Sequence, residues 1–265
     1  MVRTALVRTA VTTALVAGFA LLGTAQSRRP GCPDWGDRGA TVCESRDATI
    51  PGNNPLDVDA GPNGGISVKG WDRPETLVHA IVSAHADTDA EARGILSGVK
   101  LDATGNRVRA EGPFTEGDRH WSVNYELSVP RNAYLTLNTR NGGISIEDFG
   151  GSAKFHAVNG GVSLRNVNGD IRGDTTNGGV TVDLTGDHWD GQGLDVETRN
   201  GGIRMTMPDH YSAALETATT HGRISIDFPV TVTGRIGREI TTTLGSGGAR
   251  VRAVTYNGGV SIRRR

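Results

Sequence analysis

The stretch Asn141-Gly142-Gly143-Ile144-Ser145-Ile146 returns as NGGVSL at Asn159, NGGVTV at Asn177, NGGIRM at Asn200 and NGGVSI at Asn257. An early copy, NGGISV, stands at Asn63, and a degenerate one, HGRISI, at His221. With 14 Asn and 38 Gly in 265 residues, chance would supply roughly 0.3 Asn-Gly-Gly triplets against the six present, so a repeat architecture comes first. Five successive spacings, from Asn141 to Asn257, are 18, 18, 23, 21 and 36 residues. The longest leaves room for one more degenerate coil around Val230 to Leu244, followed by Gly245-Ser246-Gly247-Gly248.

Working outward from the turn, residue class is kept rung by rung. Ile144 and Ile146, Val162 and Leu164, Val180 and Val182, Ile203 and Met205, Ile224 and Ile226, and Val260 and Ile262 share one face after it. Six, four and two residues before it stand Leu135, Leu137, Thr139; Ala153, Phe155, Ala157; Ile171, Gly173, Thr175; Leu194, Val196, Thr198; and Val251, Ala253, Thr255. Period-2 alternation on both sides of every turn means strands. Asn-Gly between alternating strands is a hairpin signal, which would build an antiparallel meander or barrel. A parallel β-solenoid of about 18–21 residues per coil explains more, because stacked coils place like residues side by side. The solenoid is the expected fold and the meander its alternative. The turn glycines are expected to meet a need for positive φ, and the Asn amides to hydrogen-bond from coil to coil.

Upstream of residue 134 the pattern is mixed. Arg3 and Arg8, an apolar run from Ala10 to Leu22 and the small residues Gly23-Thr24-Ala25 form a secretory signal over 1–25, too short for a membrane span. Cys32 and Cys43, the only cysteines, are expected to close a disulfide in a 26–54 loop region with little regular structure from Thr41 to Asn54. A strand–helix–strand part follows over 55–133. It holds a strand from Thr76 to Ala86 with one buried face, and a short helix from Asp89 to Val99 started by a Thr88/Glu91 capping box. The Asn-Gly-Gly repeat region occupies 134–265.

In a solenoid, two outward ladders result. Ser67, Ser145, Ser163, Thr181, Arg204, Ser225 and Ser261 form one; Lys69, Glu147, Arg165, Asp183, Thr206, Asp227 and Arg263 form the other. Ser145, Glu147, Ser163, Arg165, Thr181 and Asp183 are the candidate binding face, and the alternation of Glu147, Arg165 and Asp183 in sign favours their stacking. Loss of the signal takes the formal charge from −1 to −3, which excludes a polyanion-binding signature and hence nucleic acid.

Signs of chemistry are weak. Gly143-Ile144-Ser145 lacks the second Gly of a nucleophile elbow. Asp187-His188-Trp189-Asp190 is the densest polar cluster, with donors a metal could use. Asp174, Asp183 and Asp195 could serve a glycan as acid and base only by converging, and the ladders disperse them. Trp189, Tyr211 and Tyr256 could stack on sugars, yet aromatics are 5% of the chain. No catalytic residue, metal or cofactor is expected.

DAGPNGGISVKGWDR at Asp59–Arg73, AHADTDAEAR from Ala84, WSVNYELSVPR from Trp121, the Asn-Gly-Gly strands and RIGREITTTLGSGG at Arg235–Gly248 resemble a bacterial family of exported putative adhesins with β-strand repeats. The resemblance runs from about Cys32 to Arg264. It implies a secreted, periplasmic or cell-surface protein with a repetitive β fold and an adhesin-like or envelope role, and it brings no catalytic residues with it. His221-Gly222-Arg223 departs from the repeat phrase. The expected function is a non-catalytic module presenting a β surface to a cell-wall glycan or envelope protein, with self-association through terminal coils; a polysaccharide-acting β-helix enzyme is the alternative.

Overall fold

The computed structural model describes residues 32, 39–52, 55–227 and 238–265. The expected signal and most of the suggested extra coil lie outside them. In chain order the elements are β1 Ala40–Pro51, β2 Leu56–Asp59, β3 Ile66–Trp71, β4 Glu75–Ala86, α1 Asp89–Gly98, β5 Lys100–Thr104, β6 Arg107–Glu111, β7 His120–Pro130, β8 Tyr134–Asn141 and β9 Ile144–Phe149. They continue as β10 Ser152–Asn159, β11 Val162–Val167, β12 Asp170–Asn177, β13 Val180–Asp183, β14 Gly193–Asn200, β15 Ile203–Met207, β16 Ala213–His221, β17 Ile224–Ile226, β18 Glu239–Leu244, β19 Arg250–Asn257 and β20 Val260–Arg264.

These strands form two ten-stranded sheets. One runs β1-β4-β7-β3-β9-β11-β13-β15-β20-β17, the other β18-β16-β19-β14-β12-β10-β8-β2-β6-β5. Each Asn-Gly-Gly turn, and the His221 turn, carries the chain from the second sheet to the first, so the strands flanking a turn are never neighbours. That rules out the hairpin meander for the repeats. Their inner strands pair in parallel and in register, Val162 beside Ile144 and Val180, Phe155 beside Leu137 and Gly173. The sheets are nevertheless of mixed orientation: β1–β4, β4–β7, β5–β6 and β16–β18 are antiparallel. The predicted inward apolar residues of both sheets lie in one buried cluster, with Ile224 and Ile226 half-buried against it; Leu137, Ile146, Leu164, Ile171, Val182, Val196 and Met205 are wholly buried.

Stacking explains the turn, though not as expected. A Cβ on the first glycine of each Asn-Gly-Gly phrase after the one at Asn63 would collide with the carbonyl oxygen of the first glycine one rung away: Gly142 with Gly64, Gly160 with Gly142, Gly178 with Gly160, Gly201 with Gly178 and Gly258 with Gly201. The need common to all five is close backbone approach; Gly258 alone of them is also marked by a positive φ, 157°. On the second glycine a Cβ would stand 3.1 to 3.4 Å from the next carbonyl oxygen, a far milder crowding. The degenerate phrase obeys this hierarchy, keeping Gly222 and replacing the second glycine by Arg223. Asn side chains link the rungs, with Nδ2 of Asn159, Asn177, Asn200 and Asn257 each donating at 2.8 Å to Oδ1 of the Asn one rung earlier in the stack. Asn141 donates to Asn63 at 3.2 Å.

A second ladder runs inside. Buried Thr139, Thr175, Thr198, Thr255 and Thr219 donate to the carbonyls of Gly64, Gly160, Gly178, Gly201 and Gly258, at 2.6 to 2.8 Å. Ala157 fills the same position without a donor. At the opposite corner Asp148 and Asn166 adopt φ of 55° and 49°, and Asn166 Nδ2 donates to Asp148 Oδ1 at 2.7 Å. Short polar side chains tolerate that conformation better than most.

Three expectations are corrected. Thr41 to Asn54 contains β1, paired along its length with β4. Its alternation is hidden because Glu44 and Arg46 occupy core-side register positions beside Val82 and Ala80, and Arg46 Nη1 and Nη2 donate to the Val99 and Leu96 carbonyls at the end of α1. Next, β4 is not buried on one face alone, since Ser83 and His85 are buried as well. Last, the coils do not stack in sequence order. The β19–β20 coil lies between β14–β15 and β16–β17, and β18 returns antiparallel along β16 and adds no parallel rung. Helix α1 is as expected, Thr88 Oγ1 accepting from Glu91 N at 3.3 Å, with Ala92 and Leu96 buried.

Candidate functional site

Strand alternation puts Ser145, Ser163 and Thr181 in one outward row and Glu147, Arg165 and Asp183 in another, each triplet in register on β9, β11 and β13. The first row continues to Ser67 on one side and to Arg204, Ser261 and Ser225 on the other. The candidate face is therefore contiguous. Arg165 is exposed, and among the described residues it forms no ion pair, so its row is a set of alternating charges without a closed salt bridge. Lys69 reaches Asp148 at 3.9 Å instead of its register neighbour Glu147. A depression of about 380 Å³ lies across the near end, lined by Ser67, Ser145, Ser163, Glu126 and Asn124 among others.

The outward face of the other sheet, across β12, β14 and β19, carries a larger hollow of about 760 Å³. Arg172, Asp174, Asp195, Glu197, Arg199 and Tyr256 stand in its walls. Gly173 also lines it; the side chain it lacks would face the core, where Phe155, one rung away, already fills the space. The carboxylates are already partnered. Asp174 Oδ2 meets His156 Nδ1 at 2.9 Å, and Arg252 Nη1 donates to Asp195 Oδ1 at 2.6 Å and also to Glu197. Arg252 Nε lies 3.5 Å from Glu216 Oε1, and Arg250 pairs with the same Glu216 at 2.6 Å. Burial alone would lower the Arg252 pKa; the bonds to Asp195 and Glu197 outweigh it and raise the value. Asp183 stands on the other sheet, so the three aspartates do not converge.

The Asp187–Asp190 cluster owes its form to a core residue. Trp189 is 3% exposed and donates Nε1 to the Gly169 carbonyl at 3.0 Å, which throws its neighbours into solvent. His188 then bridges two carboxylates, Nδ1 to Asp187 at 2.6 Å and Nε2 to Asp190 at 2.8 Å. Its two nitrogens point to different partners, and among the described residues no group of three or more His, Cys, Asp or Glu is placed to hold a metal ion. The hydrogen bonds to Asp187 and then Asp190 raise the His188 pKa, and Asp187 is lowered in turn by its bond to His188.

Of the three aromatics considered for stacking on sugars, Trp189 and Tyr211 are buried. Tyr256 is 49% exposed and packs edge-on against His221, ring centroids 5.2 Å apart. Phe114 and Tyr134 are more exposed still, without any periodic signal to announce them. Sequence reasoning also missed the Arg252 cluster; its signal was the recurrence of opposite charges at one register position on β14, β16 and β19. Cys32 and Cys43 are joined in a disulfide, which suits an oxidising compartment.

No curated protein matches the chain. Among solved structures, a putative cell adhesion protein from Clostridium sporogenes is similar at 9% identity, covering 84% of this chain and 100% of its own, with a TM-score of 0.39. A putative adhesin from Bacteroides fragilis is similar at 11% identity, covering 87% and 100%, with a TM-score of 0.37. A putative lipid binding protein from Parabacteroides distasonis is similar at 8% identity, covering 86% and 99%, with a TM-score of 0.29. Likenesses this distant say nothing of function. The profile of the Toastrack DUF4097 family matches residues 97–263, well over half of the chain, and the protein belongs to that family.

Proposed function

We propose that the protein is an exported, non-catalytic interaction module, a solenoid of coils of about 18–21 residues capped by antiparallel strands. It holds a polymer or an envelope protein against the outward face of β9, β11 and β13. The observation that carries this is the register of Ser145, Ser163 and Thr181 beside Glu147, Arg165 and Asp183. Hydroxyl groups repeated at the strand spacing of about 4.8 Å suit a partner that is itself extended and repetitive. The Cys32–Cys43 disulfide supports export.

Incubation with purified cell-wall material tests both parts of the proposal. Retention should fall at least about tenfold when Ser145 and Ser163 are both changed to Lys, a loss of about 1.4 kcal/mol of binding, and no sugar should be released. Unchanged retention removes this face from the proposal. A second reading, a polysaccharide-acting enzyme, is favoured by Asp174, Asp195, Glu197 and Tyr256 sharing one hollow. Release of soluble fragments, abolished by Asp195→Asn, would put that reading first.

A further inference from the structure

The coil Ala249–Arg265 is last in the sequence and yet internal to the stack. β19 pairs with β14 on one side and with β16 on the other, and β20 with β15 and β17. Both flanks lie earlier in the chain, so without this coil they would bound a slot one coil wide.

The slot is matched to its occupant by charge. Ala249–Arg265 contains five arginines and no acidic side chain. The flanking strands offer Asp195 and Glu197 on β14 and Glu216 on β16, all of which meet Arg252. Asp195 and Glu216 are both register partners of Arg252, so closing the slot without the insert would set these two carboxylates side by side. The backbone is matched too. Gly201 N donates to Asn257 O and Gly258 N to His221 O, each at 3.0 Å, while Thr255 and Thr219 close the inner ladder on either side. These contacts all join the coil to the slot, and they are the same whichever molecule donates the coil.

The connection to the coil is short. Gly245 to Ala249 must cross from β18, on one side of β16, to β19 on the other, about 10 Å at two strand spacings. We propose that Ala249–Arg265 is an exchangeable insert, and that the slot between β14–β15 and β16–β17 accepts the same coil from a second copy of this chain. The surface differs from the outward face proposed for ligands, so the two stand or fall separately.

The test joins chains across the slot. Arg204 and Ser261 are register partners on β15 and β20, whereas Ser67 lies on the same outward row far from the slot. Chains carrying Arg204→Cys are mixed with chains carrying Ser261→Cys, unfolded in urea without reductant, refolded together at high concentration and oxidised. The expected product is a disulfide dimer joining 204 of one chain to 261 of another, on the order of a hundredfold above a Ser67→Cys control because the slot raises the effective thiol concentration. Deleting Gly245–Gly248 leaves a connector that reaches at most about 7 Å, too short for insertion into its own slot, and should convert the chain to dimers. A deletion variant that stays monomeric, or a 204–261 link no more frequent than the 67–261 control in both backgrounds, overturns the proposal.

Discussion

Alanine in place of either glycine of one repeat separates close packing from turn conformation as the reason for the Asn-Gly-Gly phrase. A Cβ on Gly160 would overlap the Gly142 carbonyl oxygen and touch the Gly142 carbon and Gly143 nitrogen, all backbone atoms that no side-chain rotation can move. Relief requires the two rungs to part by on the order of 1 Å. Gly142 N to Asn159 O and Ile144 N to Gly161 O, both 3.0 Å, and the hydrogen bond from Asn159 Nδ2 to Asn141 Oδ1 hold that spacing. Losing two or three such bonds, at about 1 kcal/mol each, puts Gly160→Ala near 3 kcal/mol destabilising. For Gly161, the nearest atom to a new Cβ is the Gly179 oxygen at 3.4 Å, an ordinary contact. The lower entropy of an unfolded alanine then offsets the small crowding, so the net effect should be within about 0.5 kcal/mol of zero. Urea unfolding followed by circular dichroism should show a midpoint lower by about 1 M for Gly160→Ala and unmoved for Gly161→Ala. Equal effects at the two positions, or a larger one at Gly161, would refute the assignment of the first glycine to backbone approach.

Other outcomes follow from the same ladders. Arg252→Gln should cost about 2 kcal/mol and Arg252→Glu about 4 kcal/mol, since Arg252 is one-fifth exposed and meets three carboxylates; urea curves in low and high salt should show the Glu variant partly rescued by salt. Ala157→Thr should add about 0.5 to 1 kcal/mol, by giving the Gly142 carbonyl the donor that other rungs possess, measured as a raised unfolding midpoint. Arg165→Gln should change stability by less than about 0.5 kcal/mol at any salt, because the exposed guanidinium closes no ion pair with its register neighbours Glu147 and Asp183; a larger, salt-sensitive loss in thermal melts would show that the outward row is bonded in solution. The His188 imidazole should titrate above its ordinary 6.5 by NMR, and Asp187→Asn with Asp190→Asn should return it there. Its pairing is complete below the ordinary value and is lost as pH rises through the raised one.

Much of the fold was legible because the period-2 pattern is local. Every inward residue assigned around the turns from Asn141 to Asn200 and at Asn257 is at a core-side register position, and the Thr88 cap marked the start of α1. What was hidden depends on neighbours that sequence does not announce. β1 carries Arg46 where an apolar residue would signal a strand, since the arginine serves helix carbonyls. The inner threonines read as a weak third core position, although they bond the next rung. Of the candidate face, the residues and their register could be read, but the Arg252-paired carboxylates of the larger hollow could not, because that pairing depends on β19 lying between β14 and β16, out of sequence order.

That insertion also accounts for the weakest repeat. Placed between the Asn200 and Asn257 coils, as sequence order suggests, His221 would interrupt an amide ladder in the middle of the stack. In the observed order Asn200 and Asn257 bond directly, and the His221 coil stands outside them, with β17 at the edge of its sheet. On the β17 side this rung has no neighbour beyond it, so it keeps the glycine that approaches the inner rung, Gly222, and loses the second glycine, whose Cβ would point away from the stack. Arg223 in place of the second glycine is thus what an end coil of this stack permits. Opposite charges at one register position, Asp195, Arg252 and Glu216, carried the true order all along, in side chains that a search for apolar periodicity passes over.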